Sequence, residues 1–214
     1  MPQATTRPDK QSRGRPRDGT IDAAVLDATE MLLARRGYEA MSIEQVAAAA
    51  GVSKPTIYLR YPSKRELVAA MIDRLRPPLP ETSGDSVTRD LIALIDIQRE
   101  WVDRHGLRIV AAVLLEQVDH PELLERFQER VIAPVRAAFA AVLKRGIGRG
   151  HLRRGADRPE VIDALTGAFW AESISTTGHS PDWTRRLVET LLQGLAAGSP
   201  AHPDGRRPRT RRAR

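Results

Sequence analysis

Lys54, Thr56, Tyr58 and Arg60 fall together in the stretch Ser53-Lys54-Pro55-Thr56-Ile57-Tyr58-Leu59-Arg60. An ammonium, a hydroxyl, a phenol and a guanidinium side by side make an odd set for a merely solvated face. They are a useful set against DNA, where base edges and phosphates offer acceptors. Chemistry of other kinds finds little support. The five histidines (His105, His120, His151, His179, His202) are scattered over turns and tails. None belongs to the paired-histidine motif of a zinc protease helix. Glu116 to His120 is one residue too long for the Glu-x-x-His motif of a di-iron bundle. The chain has no cysteine, hence no thiol nucleophile, cysteine zinc site or disulfide. The glycines between 146 and 150 follow a predicted helix and do not join a strand to one, so they are no phosphate-binding loop. The expectation is a protein that is not an enzyme and that needs neither a metal nor a cofactor.

The elements that position Lys54 and its neighbours can be read from their caps. Ser42 followed three residues later by Gln45 is a capping box, and Ile43, Val46, Ala47 and Ala50 then form one apolar face of a short helix. Gly51 ends that helix, because the residue past a helix end commonly needs the left-handed conformation. Ser53 caps the next helix and Pro55 sits in its first turn, where no donor is needed. Ile57 is its inward residue. Pro62 closes it, and Ser63 to Glu66 makes a second capping box for a further helix carrying Leu67, Val68, Met71, Ile72 and Leu75. A preceding helix from about Thr20 to Arg36, apolar at Val25-Leu26 and Leu32-Leu33, braces the pair and stops at Gly37.

Two short helices about a glycine turn, the second polar and aromatic outward, make a helix-turn-helix. From Val25 to Lys64 the sequence resembles the DNA-binding domain of the tetracycline-repressor-like (TetR) family of bacterial transcription regulators. The matching residues are Arg36-Gly37-Tyr38, then Ser42-Ile43-Glu44-Gln45-Val46-Ala47, then Ala50 through Tyr58, then Pro62-Ser63-Lys64. The resemblance implies that Lys54, Pro55 and Tyr58 face base edges and nearby backbone, and that Ser42, Thr56, Arg60, Tyr61 and Lys64 touch phosphates. Leu59 and Arg60 depart from the aromatic residue and histidine often found at those positions.

Net charge of +7 suits a nucleic-acid partner, and its placement is informative. Residues 1–17 carry +4 and residues 201–214 carry +5, so subtracting the tails leaves the middle of the chain at −2. The folded body is therefore not a general sponge for nucleic acid. Within the N-terminal arm, Arg13 and Arg15 flank Gly14 as in an AT-hook, a segment that lays arginines in a narrow minor groove; a solvated tail is the alternative.

The run Arg76-Pro77-Pro78-Leu79-Pro80 breaks the chain. Beyond it the sequence reads as a helical bundle: a helix from about Ser86 to Arg104, an all-round apolar one from Leu107 to Val118, a long one from Pro121 to Arg149 kinked at Pro134, and two more ending near Ala197. In TetR-like proteins the last two long helices pair with those of a second subunit. The resemblance assigns Val161, Leu165, Phe169, Leu187, Leu191 and Leu195 to that dimer interface, with burial inside one subunit as the alternative. A bundle this large has room for a ligand pocket. Its candidate lining is Trp101, Glu116, Gln117, His120, Phe127, Phe139 and Trp170, and ordinary core packing or a solvated surface is the alternative for each.

The expected protein is all-α: a basic arm (1–17), a helix-turn-helix domain (18–76), a linker (77–86), a ligand-binding and dimerisation domain (87–198) and a basic tail (199–214). Its expected role is that of a ligand-responsive repressor, a homodimer on a palindromic operator in double-stranded DNA, answering to an unknown small-molecule effector. No apolar run is long enough for a membrane span, and a cytoplasmic, nucleoid-associated protein is expected. The alternative is an architectural binder of A/T-rich DNA working through its basic tails.

Overall fold

The computed structural model describes residues 19–175, 180 and 182–196; the expectations for the basic arm, with Arg13 and Arg15, and for the basic tail lie outside these residues. The described chain opens with α1 (Gly19–Ala40), α2 (Ile43–Ala50), α3 (Lys54–Tyr58) and α4 (Lys64–Arg74). After an irregular stretch come α5 (Val87–His105), α6 (Leu107–Leu115) and α7 (Pro121–Phe127). A π-helical turn at Gln128–Ile132 joins α7 to α8 (Ala133–Gly148), and α9 (Pro159–Ser175) and α10 (Trp183–Leu195) follow. The all-α class holds, and among the described residues no helix is long and apolar enough to cross a membrane.

The caps act as their residues dictate. Ser42 Oγ accepts from Gln45 N at 3.3 Å while Ser42 N donates to Gln45 Oε1 at 3.2 Å, so both halves of the box are made. Gly51, at φ 68°, closes α2 in the left-handed region, and Gly37, at φ 76°, breaks α1 so that Tyr38 turns back into the core. The expected kink at Pro134 takes the form of the π-helical turn just before it, where the missing proline donor leaves the helix free to widen.

Two apolar cores result. One gathers α1 to α4 and continues without interruption into Trp101 of α5, Ile109, Ala112 and Val113 of α6, Leu123 and Phe127 of α7 and Val131 of the π turn. The second lies between α5, α8, α9 and α10 around Phe139 and Phe169. The first core therefore straddles the boundary that the prolines mark in sequence. The stretch read as linker is itself pinned: Gly84 N donates to the buried Asp90 carboxylate at 3.0 Å, Arg145 reaches Thr82 Oγ1 at 2.6 Å, and Pro77 is buried. Prolines stop a helix, but they do not stop a chain from packing.

α6 departs from its expected burial. It stops at Leu115, and only Ile109, Ala112 and Val113 are buried; Leu114, Leu115 and Val118 are exposed. α1 covers one face of this helix, and its other face borders an open apolar groove shared with Leu124, Phe127, Trp170 and Ile174.

Candidate nucleic-acid interface

α3 is short because Ser53 caps it at one end and Pro62 follows soon after the other. Ile57 is its single buried residue, at 0% exposure, and anchors it to the first core. That anchoring leaves Lys54, Pro55 and Tyr58 facing solvent, with Leu59 82% exposed beside them. Lys54 Nζ stands 5.7 Å from the Tyr58 ring centroid, so an ammonium and an aromatic face share one edge of the helix. Thr56 is half-buried, its hydroxyl 2.8 Å from that of Ser53.

Lys54 is ion-paired to Glu44, which comes from α2 across the turn. The hydrogen bond from Lys54, helped by the Glu44 backbone and the Ser42 hydroxyl, holds the Glu44 carboxyl down to about 2. Sequence reasoning gave Glu44 no role, since no local spacing rule pairs residues on opposite sides of a turn. An acid beside Lys54 repels phosphate as well as holding the lysine in place. Glu44→Gln is expected to tighten binding to scrambled DNA several-fold at low salt while leaving the operator less well discriminated; filter binding on both DNAs checks it, and equal effects on the two would refute it.

Two of the residues expected on phosphates are committed elsewhere. Arg60 is 14% exposed in its side chain; its Nε donates to Asp22 Oδ1 at 2.8 Å and its Nη1 to the Thr56 carbonyl at 3.2 Å, tying α3 to α1. Lys64 Nζ donates to the carbonyls of Tyr38 at 2.8 Å and Met41 at 3.3 Å and lies 4.2 Å from the Tyr38 ring centroid. The end of α1 leaves carbonyls without partners, and an ammonium is the group that satisfies several at once. Tyr61 is half-buried against the first core, and Ser42 sits at the α2 cap.

The seven candidate lining residues separate into four places. Trp101 and Trp170 stand in the wall of a cavity of about 350 Å³ between α5, the π turn, α8 and α9. Phe127, with Trp170 again, borders the open groove beside α6. Phe139 is fully buried in the second core, and Glu116, Gln117 and His120 lie between α6 and α7, where Glu116 and His120 approach Glu39 of α1. These four therefore line neither opening. The polar residues that sequence reasoning missed in the cavity are Gln98, Thr166 and the ion-paired Arg136 and Asp163.

The dimer candidates also divide. Leu165, Phe169 and Leu195 are buried in the second core of their own subunit, at 1%, 0% and 7% exposure, and correct the expectation of an outward face. Leucines at strict fours drift around a helix of 3.6 residues per turn, so Leu195 has rotated inward relative to Leu187. Val161, Leu187 and Leu191 are partly exposed, and Val161 and Leu191 border a shallow groove with Ala164 and Gly194.

A helix-turn-helix with an outward ammonium and phenol, held by a helical bundle with its own cavity, defines a DNA-binding regulator. Residues 25–71 match the family described as bacterial regulatory proteins, tetR family, and residues 80–191 match the tetracyclin repressor-like C-terminal domain. The HTH-type transcriptional regulator YdeS of Bacillus subtilis is 31% identical over 196 residues, covering 89% of this chain and 97% of its own. The DNA-binding transcriptional repressor TetR of Mycobacteroides abscessus is 31% identical over 180 residues, covering 82% and 94%. Among solved structures, the regulator FadR of Bacillus subtilis in complex with stearoyl-CoA superimposes with a TM-score of 0.61 at 20% identity, over 83% of this chain and 98% of that one. The chain belongs to the TetR family of transcriptional regulators.

Proposed function

We propose that the protein is a homodimeric, effector-responsive repressor that reads an inverted-repeat operator on the cytoplasmic nucleoid, with α3 of each subunit in the major groove. Lys54, Pro55 and Tyr58 supply the base-facing contacts. α9 and α10 present the pairing face through Val161, Ala164, Leu191 and Gly194.

One observation supports the effector response above others. Trp101 lines the cavity, and its indole N–H donates to the Leu75 carbonyl at the end of α4, at 2.6 Å. A molecule that shifts Trp101 thus pulls on the helix that follows α3. Asp73, two residues earlier in α4, is held by Arg126 and Arg130 from α7 and the π turn, and Arg126 in particular keeps its carboxyl below the usual range. Movement at the cavity and movement of α4 are therefore mechanically joined. The cavity wall is mostly apolar, with Gln98, Thr166 and the Arg136–Asp163 pair at separate points, which suits a small apolar effector carrying a few polar groups.

The test is to map the operator by footprinting, screen the substrates of the genes it controls for release of the DNA, and repeat the release with Trp101→Phe. The variant keeps a ring and loses the donor. A coupling of about 1–3 kcal/mol gives wild-type release of about 5- to 150-fold, and the variant is expected to bind effector but release DNA far less. If no compound alters DNA affinity, the effector reading fails. Uniform protection of A/T-rich DNA in place of a discrete palindrome would favour the architectural alternative.

A further inference from the structure

The joint between the reading head and the bundle holds a cluster that the repressor reading leaves unused. Glu39 comes from the last turn of α1, Glu116 from the end of α6, and His120 from the residue before α7. One ligand atom from each lies within 4.8 Å of the other two. His120 Nε2 is 3.7 Å from Glu39 Oε1, and on the opposite side of the ring Nδ1 is 3.8 Å from Glu122 Oε1. That is the disposition of a metal-binding imidazole, with one nitrogen toward the ion and the other toward an orienting carboxylate.

Glu116 supplies a second, independent observation. It is 8% exposed, and among the described residues its carboxylate makes no hydrogen bond or ion pair, although a second carboxylate and an imidazole face it. The residue's burial takes water from that carboxylate, and the like charge of Glu39 beside it adds to the cost. A cation between the two glutamates removes both penalties.

We infer that Glu39, Glu116 and His120 form a binding site for a divalent transition-metal cation, joining the end of α1 to the α6–α7 corner. Two carboxylates and an imidazole suit zinc or manganese, with water completing the coordination. Bonds of about 2.1 Å set tetrahedral ligand atoms about 3.4 Å apart, so a small rotation of the exposed Glu39 side chain closes the site. The His120 ring lies 4.4 Å from that of Tyr38, which in turn carries Lys64 Nζ at 4.2 Å, so the ion stiffens the contact on which the first residue of α4 rests.

Zinc titrated calorimetrically into the untagged full chain is expected to bind at about one ion per chain with a Kd on the order of 10 μM or tighter. His120→Gln and Glu116→Gln are each expected to weaken it at least about tenfold, whereas His105→Gln, at the separate pair with Glu30, leaves it unchanged. Glu39→Gln alters an exposed side chain and keeps the test valid should a buried substitution unfold the protein. Absence of zinc binding, or wild-type binding by Glu39→Gln and His120→Gln, overturns the site. The readout is zinc itself, so its failure is separate from any failure of effector release.

Discussion

A chain carrying Ala164→Arg and Gly194→Arg is expected to sediment as a monomer and to lose about 100-fold or more of its affinity for the full operator, because tethering two reading heads multiplies affinity by roughly that factor. Both positions lie on the exposed side of α9 and α10, in the groove bordered by Val161 and Leu191. A Cβ added at Gly194 meets nothing within 4 Å inside the subunit and Ala164 is exposed, so both positions have room for the substitution on the face proposed to pair. A two-fold interface is self-complementary, and every arginine placed there confronts its own copy or its neighbour's. Circular dichroism and affinity for an isolated half-site should be unchanged. A wild-type monomer in the centrifuge, or a dimeric double variant, would contradict the assignment.

Lys54→Ala is expected to weaken operator binding by about 5- to 150-fold, the equivalent of about 1–3 kcal/mol for a lost base contact, and to relax the sequence preference at one position of each half-site. Lys54 is the exposed cation of α3 that is free of backbone bonds, since the guanidinium of Arg60 is tied to Asp22 and the Thr56 carbonyl. Scrambled DNA should lose far less, no more than one phosphate contact's worth of affinity and salt dependence. Equal losses on operator and scrambled DNA would mean that Lys54 touches only backbone.

The reading head was legible because its information is local. Ser42 and Gln45, Gly51, Ser53 and Ser63 each declare a helix boundary within four residues; all are formed, though Ser63 accepts from Glu66 N without the reciprocal half of its expected box. Contacts between distant residues were not legible. Arg60 on Asp22, Lys64 on the end of α1, Glu44 on Lys54 and Trp101 on Leu75 all depend on how helices meet, and no periodicity encodes that. The dimer stripe shows the same limit: the apolar pattern of α9 and α10 was plain, but Leu165 and Phe169 could face a second subunit or their own core equally well until α5 and α8 were in place. Glu116 and His120 looked one residue out of step for a metal motif, and the acid that completes their cluster comes from α1.

The continuity of the first core bears on how such regulators can be recombined. A hybrid built by joining one protein's reading head to another's bundle at the prolines of residues 77–80 cuts through Trp101, Ile109, Val113, Phe127 and the α4 residues they cover. A cut placed after the π turn keeps α1 to α7 and the first core together, but it parts Leu91, Leu94 and Ile95 of α5 from α8 to α10, with which they build the second core. Grafted at that cut, a new effector cavity arrives without its half of the lever, since Trp101 stays with the reading head and Trp170 travels with the bundle. Recombination within this architecture thus preserves DNA reading more readily than it preserves obedience to a ligand.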